Sequence, residues 1–226
     1  MKQIPLAITV DPVPVFDSYV PGRNEAALEH LRRLRAPAAP VYLWGDAGSG
    51  KTHLLSALAH EAQAAGGRVG WFDAGQPLPW TVGPGHVLTI VDDVQALDAA
   101  EQGAAFTLFG EAASLGVPFV AAGRLPPVDL PLRDDLRTRL GWGHVFELSA
   151  LDEAETRAAL RRHADQRGVL LSDEVMGYLL ARCSRDLKSL VALVAELDTY
   201  GLATSRAITV PMLKQLLAER APSLQT

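Results

Sequence analysis

Val41-Tyr42-Leu43-Trp44-Gly45-Asp46-Ala47-Gly48-Ser49-Gly50-Lys51-Thr52-His53-Leu54-Leu55 is the stretch that decides the fold. Its first four residues are an apolar run ended by glycine, which reads as a buried strand. Gly45 to Thr52 then fits the spacing G-x-x-x-x-G-K-[ST]. From Lys51 to Ala65, Leu54, Leu55, Leu58 and Ala62 recur on one face of a helix, and Gly66-Gly67 stops it. Strand, glycine loop and helix are what a phosphate cradle requires. The glycines let backbone N–H groups turn inward, and the helix adds its positive end. Lys51 supplies a mobile point charge for β- and γ-phosphates, and Thr52 a hydroxyl for Mg²⁺. The candidate phosphate-binding residues are therefore Gly45, Asp46, Ala47, Gly48, Ser49, Gly50, Lys51 and Thr52, with His53 next to them.

Further along, Val87-Leu88-Thr89-Ile90-Val91 reads as a strand and ends in Asp92-Asp93, about 40 residues beyond Lys51. Carboxylates there suit a metal ligand, Asp92, and a group that orients an attacking water, Asp93. Arg68–Phe72, Val117–Ala122 and His144–Leu148 supply three more strands. Helices are expected at Asn24–Leu34, with Asn24 as its cap, at Ala99–Leu115, ended by Gly116, and at Leu132–Leu140. Strands alternating with helices imply a five-stranded parallel sheet. After Ser149 only helices follow: Asp152–Arg167, Ser172–Arg182, Asp186–Tyr200 and Val210–Glu219. Gly168, Gly201 and Pro211 punctuate them, and Ser172 is placed to cap the second. The expected organisation is α/β, with an extended tail over 1–15, a nucleotide-binding domain over 16–150 and a small helical lid over 151–226. The absence of helical period reaches to residue 20.

Composition narrows the classes. Hydrophobic residues are 48% of 226 and charged residues 21%, enough to build a core. The one cysteine, Cys183, excludes a disulfide framework. No apolar run approaches a membrane span, and the N-terminus lacks a signal-peptide pattern, so a cytoplasmic location is expected. Net charge is −5, with 10 basic and 10 acidic residues in 151–226 and 11 and 16 in 1–150. Neither part is basic, which argues against strong independent DNA binding.

Several segments together resemble the DnaA-type AAA+ ATPases. They are Tyr42-Leu43-Trp44-Gly45, Ile90-Val91-Asp92-Asp93-Val94-Gln95, Arg137-Thr138-Arg139-Leu140-Gly141-Trp142-Gly143, and the lead-in Phe16-Asp17-Ser18-Tyr19-Val20-Pro21-Gly22 with Asn24. The likeness runs from Phe16 to Glu219. Full initiators of that family carry an extra DNA-reading domain after the ATPase module, and only seven residues follow Glu219 here. The architecture is therefore similar to the short Hda group, the regulatory inactivators of DnaA. Gln3-Ile4-Pro5-Leu6-Ala7-Ile8 resembles the peptide with which such proteins engage the sliding clamp. Gln3 would bond at a pocket rim, with Ile4, Leu6 and Ile8 on the clamp-facing segment.

The resemblance implies ADP or ATP with Mg²⁺ as cofactors, DnaA and the sliding clamp as partners, and a possible homo-oligomer. It implies that Arg139 acts as an arginine finger on a neighbour's nucleotide, with Arg137 and Arg133 as competitors. It also gives Lys188 the place of the lid arginine that reaches phosphates, with Arg185 as the alternative. At the sensor-1 strand the sequence departs from the family. Ala121-Ala122-Gly123-Arg124-Leu125-Pro126-Pro127 lacks the usual polar groups, which implies weak hydrolysis by the chain itself. The function expected is negative regulation of replication initiation. An autonomous, helicase-loader-like remodeller is the alternative, and a plain adaptor for clamp and nucleotide a third. Of the four tryptophans, Trp44, Trp71, Trp80 and Trp142, most are expected in the core.

Overall fold

The computed structural model describes residues 14–183, 186–204 and 207–220; the candidate clamp peptide Gln3, Ile4, Leu6 and Ile8, and Arg185, lie outside them. The chain falls into two compact units, one of residues up to Asp46 and Gly50–Leu148, the other of Ala47–Ser49 and the residues from Ser149 on.

The first unit is built on a five-stranded sheet, with β1 Val41–Trp44, β2 Arg68–Phe72, β3 His86–Val91, β4 Phe119–Gly123 and β5 His144–Glu147. The order is β2-β3-β4-β1-β5 and every pairing is parallel. The helices are α1 Glu25–Arg32, α2 Lys51–Ala64, α3 Ala99–Leu115 and α4 Asp134–Leu140. Helices cover both sheet faces, so the central strands are largely apolar: Val41, Leu43, Ile90, Val120 and Ala122 join one core with α1 and α2. Tyr42, Val91 and Ala121 join the other with α3 and α4. Alternation along β1 and β4 thus splits each strand between the two layers.

Local chemistry sets the ends. Asp98 caps α3: its Oδ1 accepts from Ala100 N–H and Glu101 N–H, both at 2.8 Å. Glu101 answers by accepting from Asp98 N–H at 2.8 Å, a reciprocal capping box. Gly116 closes α3 in the left-handed region.

The second unit is the helical one, α5 Glu153–Gln166, α6 Asp173–Arg182, α7 Leu187–Thr204 and α8 Val210–Arg220. Its own core gathers Leu160, Val175, Met176, Leu179, Leu193 and Leu213. Asp152 and Glu155 form a capping box on α5, and Ser172 Oγ accepts from Val175 N–H at the start of α6. No described helix is long and apolar enough to cross a membrane.

Several sequence expectations shift here. The lead-in is ordered earlier than its lack of periodicity suggests: Phe16–Ser18 is a 3₁₀ turn whose Phe16 is buried in the α1–α2 core. Asn24 holds the N-cap position of α1 but its side chain makes no capping bond; it is buried, and its Nδ2 donates to Tyr19 Oη at 2.9 Å. The fourth strand starts at Phe119 rather than Val117, since Pro118 has no N–H to give and contributes only its carbonyl, to Thr89 N–H at 2.9 Å. Gly201 continues α7 instead of ending it, and Pro211 sits in the first turn of α8, where its missing N–H costs nothing. Trp80 is buried and Trp44 and Trp71 pack partly into the cores, while Trp142 is on the surface.

Replacing Asp98 by alanine removes both acceptors at the start of α3, at a cost of about 1 kcal/mol. Urea unfolding of Asp98→Ala should show a lowered midpoint with unchanged slope, and Asp98→Asn should retain most of the wild-type value.

Candidate nucleotide site

The loop after β1 owes its shape to glycines. Gly48 and Gly50 hold φ of 80° and 91°, in the left-handed region. At Gly50 there is a second constraint, because a Cβ would stand 2.6 Å from Tyr19 Cε2. The lead-in ring therefore lies directly on the loop. Lys51 opens α2, and its Nζ donates to the carbonyls of Gly45 at 2.7 Å and Asp46 at 2.8 Å. Burial holds the Lys51 ammonium below its ordinary pKa; the Arg124 cation adds to that, while Asp92, Asp93 and Asp46 oppose it.

Thr52, one residue on, donates from Oγ1 to Asp92 Oδ2 at 2.8 Å. Asp92 ends the buried strand β3 and is only 9% exposed. Its other oxygen accepts from Asp93 N–H at 2.9 Å. Burial raises the Asp92 carboxyl above the usual carboxylate value; the hydrogen bonds from Thr52 and Asp93 N–H pull it down, the Asp93 charge pushes it up and Lys51 pulls it down. A threonine hydroxyl beside a carboxylate is a hard oxygen pair of the sort that suits Mg²⁺.

Asp93 adopts φ 52°, an uncommon left-handed conformation for a non-glycine residue, and turns the chain away from the strand. Gln95 Nε2 donates to Asp93 Oδ1. The Gln95 side-chain Oε1 accepts from Arg124 N–H at 2.9 Å. The turn after β3 is thus tied to the end of β4.

At that end Ala121 and Ala122 are fully buried and Gly123 follows. The missing side chain at Gly123 has a local cause. A Cβ there would stand 2.3 Å from Tyr42 Oη. Tyr42 is held by donating to Leu125 O at 2.8 Å, and burial raises its phenol well above the ordinary value. Arg124, which sequence reasoning assigned no role, is exposed and close enough to Lys51 to act on its charge. Only the neighbouring strand ends reveal that; register pairs Trp44 with Gly123. Tyr19 was likewise missed as a loop neighbour.

His53 Nε2 lies 3.2 Å from both Ser18 Oγ and Val15 O, so its ring serves the lead-in. Lys188 is exposed in the first turn of α7, in the helical unit.

At the N-cap of α4, Arg133 pairs with Asp135 at 2.7 Å, and within the helix Arg137 pairs with Asp134 at 2.6 Å. Arg139 has no ion pair among the described residues. Its guanidinium lies over the rings of Phe106, Phe109 and Trp142, at 4.5, 5.2 and 5.7 Å from their centroids.

Two family models match this chain: the bacterial DnaA ATPase domain over residues 11–74, and the Hda lid domain over residues 152–217. The chain is a Hda/DnaA-like AAA+ protein. Solved structures agree on the fold. Domain III of the Thermotoga maritima replication initiation protein DnaA superposes with a TM-score of 0.75 at 23% identity, covering 92% of this chain and 97% of that one. AMPPCP-bound DnaA from Aquifex aeolicus matches at 0.68 and 23%, over 85% of this chain and 67% of that one. The Thermotoga maritima RuvB Holliday junction branch migration motor, at 0.59 and 18%, covers 85% of this chain and 66% of that one. The five-stranded parallel sheet and helical lid expected for this Hda/DnaA-like chain are the architecture found.

Two outcomes test the geometry. Gly123→Ser should cost about 1–3 kcal/mol by overpacking. Tyr42→Phe in the same chain should recover much of it, a coupling measurable by a double-mutant cycle in urea. For Asp92, a raised folded pKa means that its stabilising contribution is complete below the ordinary carboxylate value and is lost as pH rises through the folded one. Asp92→Asn should therefore be more stable than wild type at pH 7, with the advantage shrinking as pH falls into and below the usual carboxylate range.

Proposed function

We propose that this protein binds ADP or ATP at Gly45–Thr52 and lowers replication initiation by promoting hydrolysis of ATP held by DnaA. In this reading the sliding clamp on DNA recruits the chain through Gln3, Ile4, Leu6 and Ile8. The clamp contact rests on the sequence of that peptide alone.

The residues around the loop fit a nucleotide. Left-handed glycines, the Lys51 ammonium and the Thr52–Asp92 pair supply the donors and oxygens that phosphates and Mg²⁺ require. When bound, Mg²⁺ would supply positive charge to offset that of the phosphates. Thr52 and Asp92 would hold it and Asp93 would orient water, while Lys188 would reach phosphates from the lid. The AMPPCP bound by the Aquifex aeolicus protein is in line with this.

The observation that carries the regulatory reading is the charge state of α4. Of the three arginines in and next to this helix, Arg133 and Arg137 are already ion-paired, and Arg139 is the one without an ion pair among the described residues. An arginine finger needs such a cation to stabilise charge on a transferring phosphoryl group. The apolar end of β4 favours the same reading, since Ala122 and Gly123 offer no side chain to position water for hydrolysis in the chain's own site.

The second reading, an autonomous remodelling ATPase, is favoured by the intact Lys51–Thr52–Asp92 arrangement. It predicts strong turnover without DnaA.

The test measures decay of DnaA-bound ATP with clamp-loaded DNA and the full chain. Wild type should accelerate it, and Arg139→Ala should abolish the acceleration, as fingers are worth roughly 10³–10⁵ in rate. Arg133→Ala and Arg137→Ala should stay within a fewfold of wild type. Equal ATP lifetimes with wild type and Arg139→Ala would overturn the reading.

A further inference from the structure

We propose that Trp142, backed by Phe106 and Phe109, is a positioning residue for Arg139, holding its guanidinium ready for use outside its own chain. This rests on the reading of Arg139 as the group that acts in trans.

Three arginines lie within seven residues, Arg133 at the N-cap of α4 and Arg137 and Arg139 in it, and the fold holds them in two different ways. A carboxylate that pairs with an arginine cancels its charge and takes up N–H donors, which is the situation of Arg133 with Asp135 and Arg137 with Asp134. An aromatic face instead takes the guanidinium from above and leaves the charge intact and the donors at the edge. Arg139 is held by three such rings at 4.5–5.7 Å.

Phe109 needs no functional account, because it is 5% exposed and part of the α3 core, and Phe106 packs against that same core. Trp142 is different. It is 70% exposed and belongs to none of the buried clusters, so core packing does not explain a ring of this size there. Its backbone N–H donates to Arg139 O at 3.2 Å, so ring and guanidinium are tied to the same last turn of α4. The following residue fixes the chain's exit: a Cβ on Gly143 would stand 1.9 Å from Pro40 O. That close approach pins the segment to the start of β1 and leaves the indole outside, against the arginine. A side chain with four rotatable bonds is thereby ordered without being neutralised.

The experiment titrates the full chain into DnaA-ATP with clamp-loaded DNA and reads both the plateau rate and the half-stimulating concentration. Trp142→Ala should lower the plateau about three- to fivefold, the size of an exposed cation–π contact, and leave the half-stimulating concentration within about twofold. Trp142→Phe should recover most of the plateau. The double variant with Arg139→Ala should be no slower than Arg139→Ala alone. In the isolated chain, the Arg139 Nε–Hε resonance should be ring-shifted upfield, move toward its unstacked position in Trp142→Ala and stay in place in Trp142→Phe. An unchanged plateau in Trp142→Ala overturns the inference, as does a raised half-stimulating concentration at full plateau, which would make Trp142 a docking contact. An Arg139 resonance that does not respond overturns it too. If wild type itself fails to stimulate, the regulatory reading falls and this role with it. If Arg139→Ala is inactive while Trp142→Ala matches wild type, only the positioning role is lost.

Discussion

Parallel pairing of β3, β4 and β1 is the constraint on which the rest of the first unit depends. Parallel strands end at the same edge of a sheet. The register Val91 with Ala121 and Trp44 with Gly123 brings three strand ends side by side there. Each end delivers one element: the glycine loop after Trp44, the carboxylates after Val91, and the Gly123–Arg124 corner after β4. Residues 40 positions apart, Thr52 and Asp92, then meet at 2.8 Å. Gln95 links the second and third ends through Asp93 and Arg124 N–H. Such hydrogen bonds add about 0.5–1.5 kcal/mol between neutral partners and about 1.5–3 kcal/mol to a charged group. Their value here is geometric, since they hold charged groups of opposite sign in a partly desolvated site.

The same edge shows how packing decides chemistry. Tyr42 lies under the α3–α4 side of the sheet and its hydroxyl fills the space in front of Gly123. A polar side chain at that position and the present Tyr42 exclude one another. The apolar strand end is then a matter of volume on the far side of β1 as well as of the residue itself. Charge is treated in the same local way on α4, where acidic neighbours neutralise Arg133 and Arg137 and aromatic rings receive Arg139. Exposed ion pairs of this kind are worth about 0–1 kcal/mol, so their main effect is on which guanidinium stays available.

Much of the fold is legible in the residues. Val41–Trp44, Arg68–Phe72 and Val87–Val91 read as strands because buried parallel strands are apolar on both faces. The loop reads from Gly48, Gly50, Lys51 and Thr52 because only certain side chains permit or perform what the backbone does there. Helix ends at Gly116, Gly168 and Ser172 read from local capping chemistry. Asn24 shows where that reasoning stops. Its type suits a cap, yet its side chain makes no capping bond; buried, it gives its amide N–H to Tyr19 instead. His53 follows the motif in sequence, but its ring turns to Ser18 and Val15.

The sequence by itself determined the alternation of strands and helices, the phosphate-loop spacing and the all-helical second unit, because periodicity, glycine and capping act over a few residues. Tertiary structure alone decided which arginine of α4 stays unpaired, that Trp142 stacks on it from the surface, that Tyr42 closes the space at Gly123, and that Arg124 stands near Lys51. Those outcomes depend on groups tens of residues apart meeting in space, where charge and volume act over a few ångströms and chain position carries no record of them.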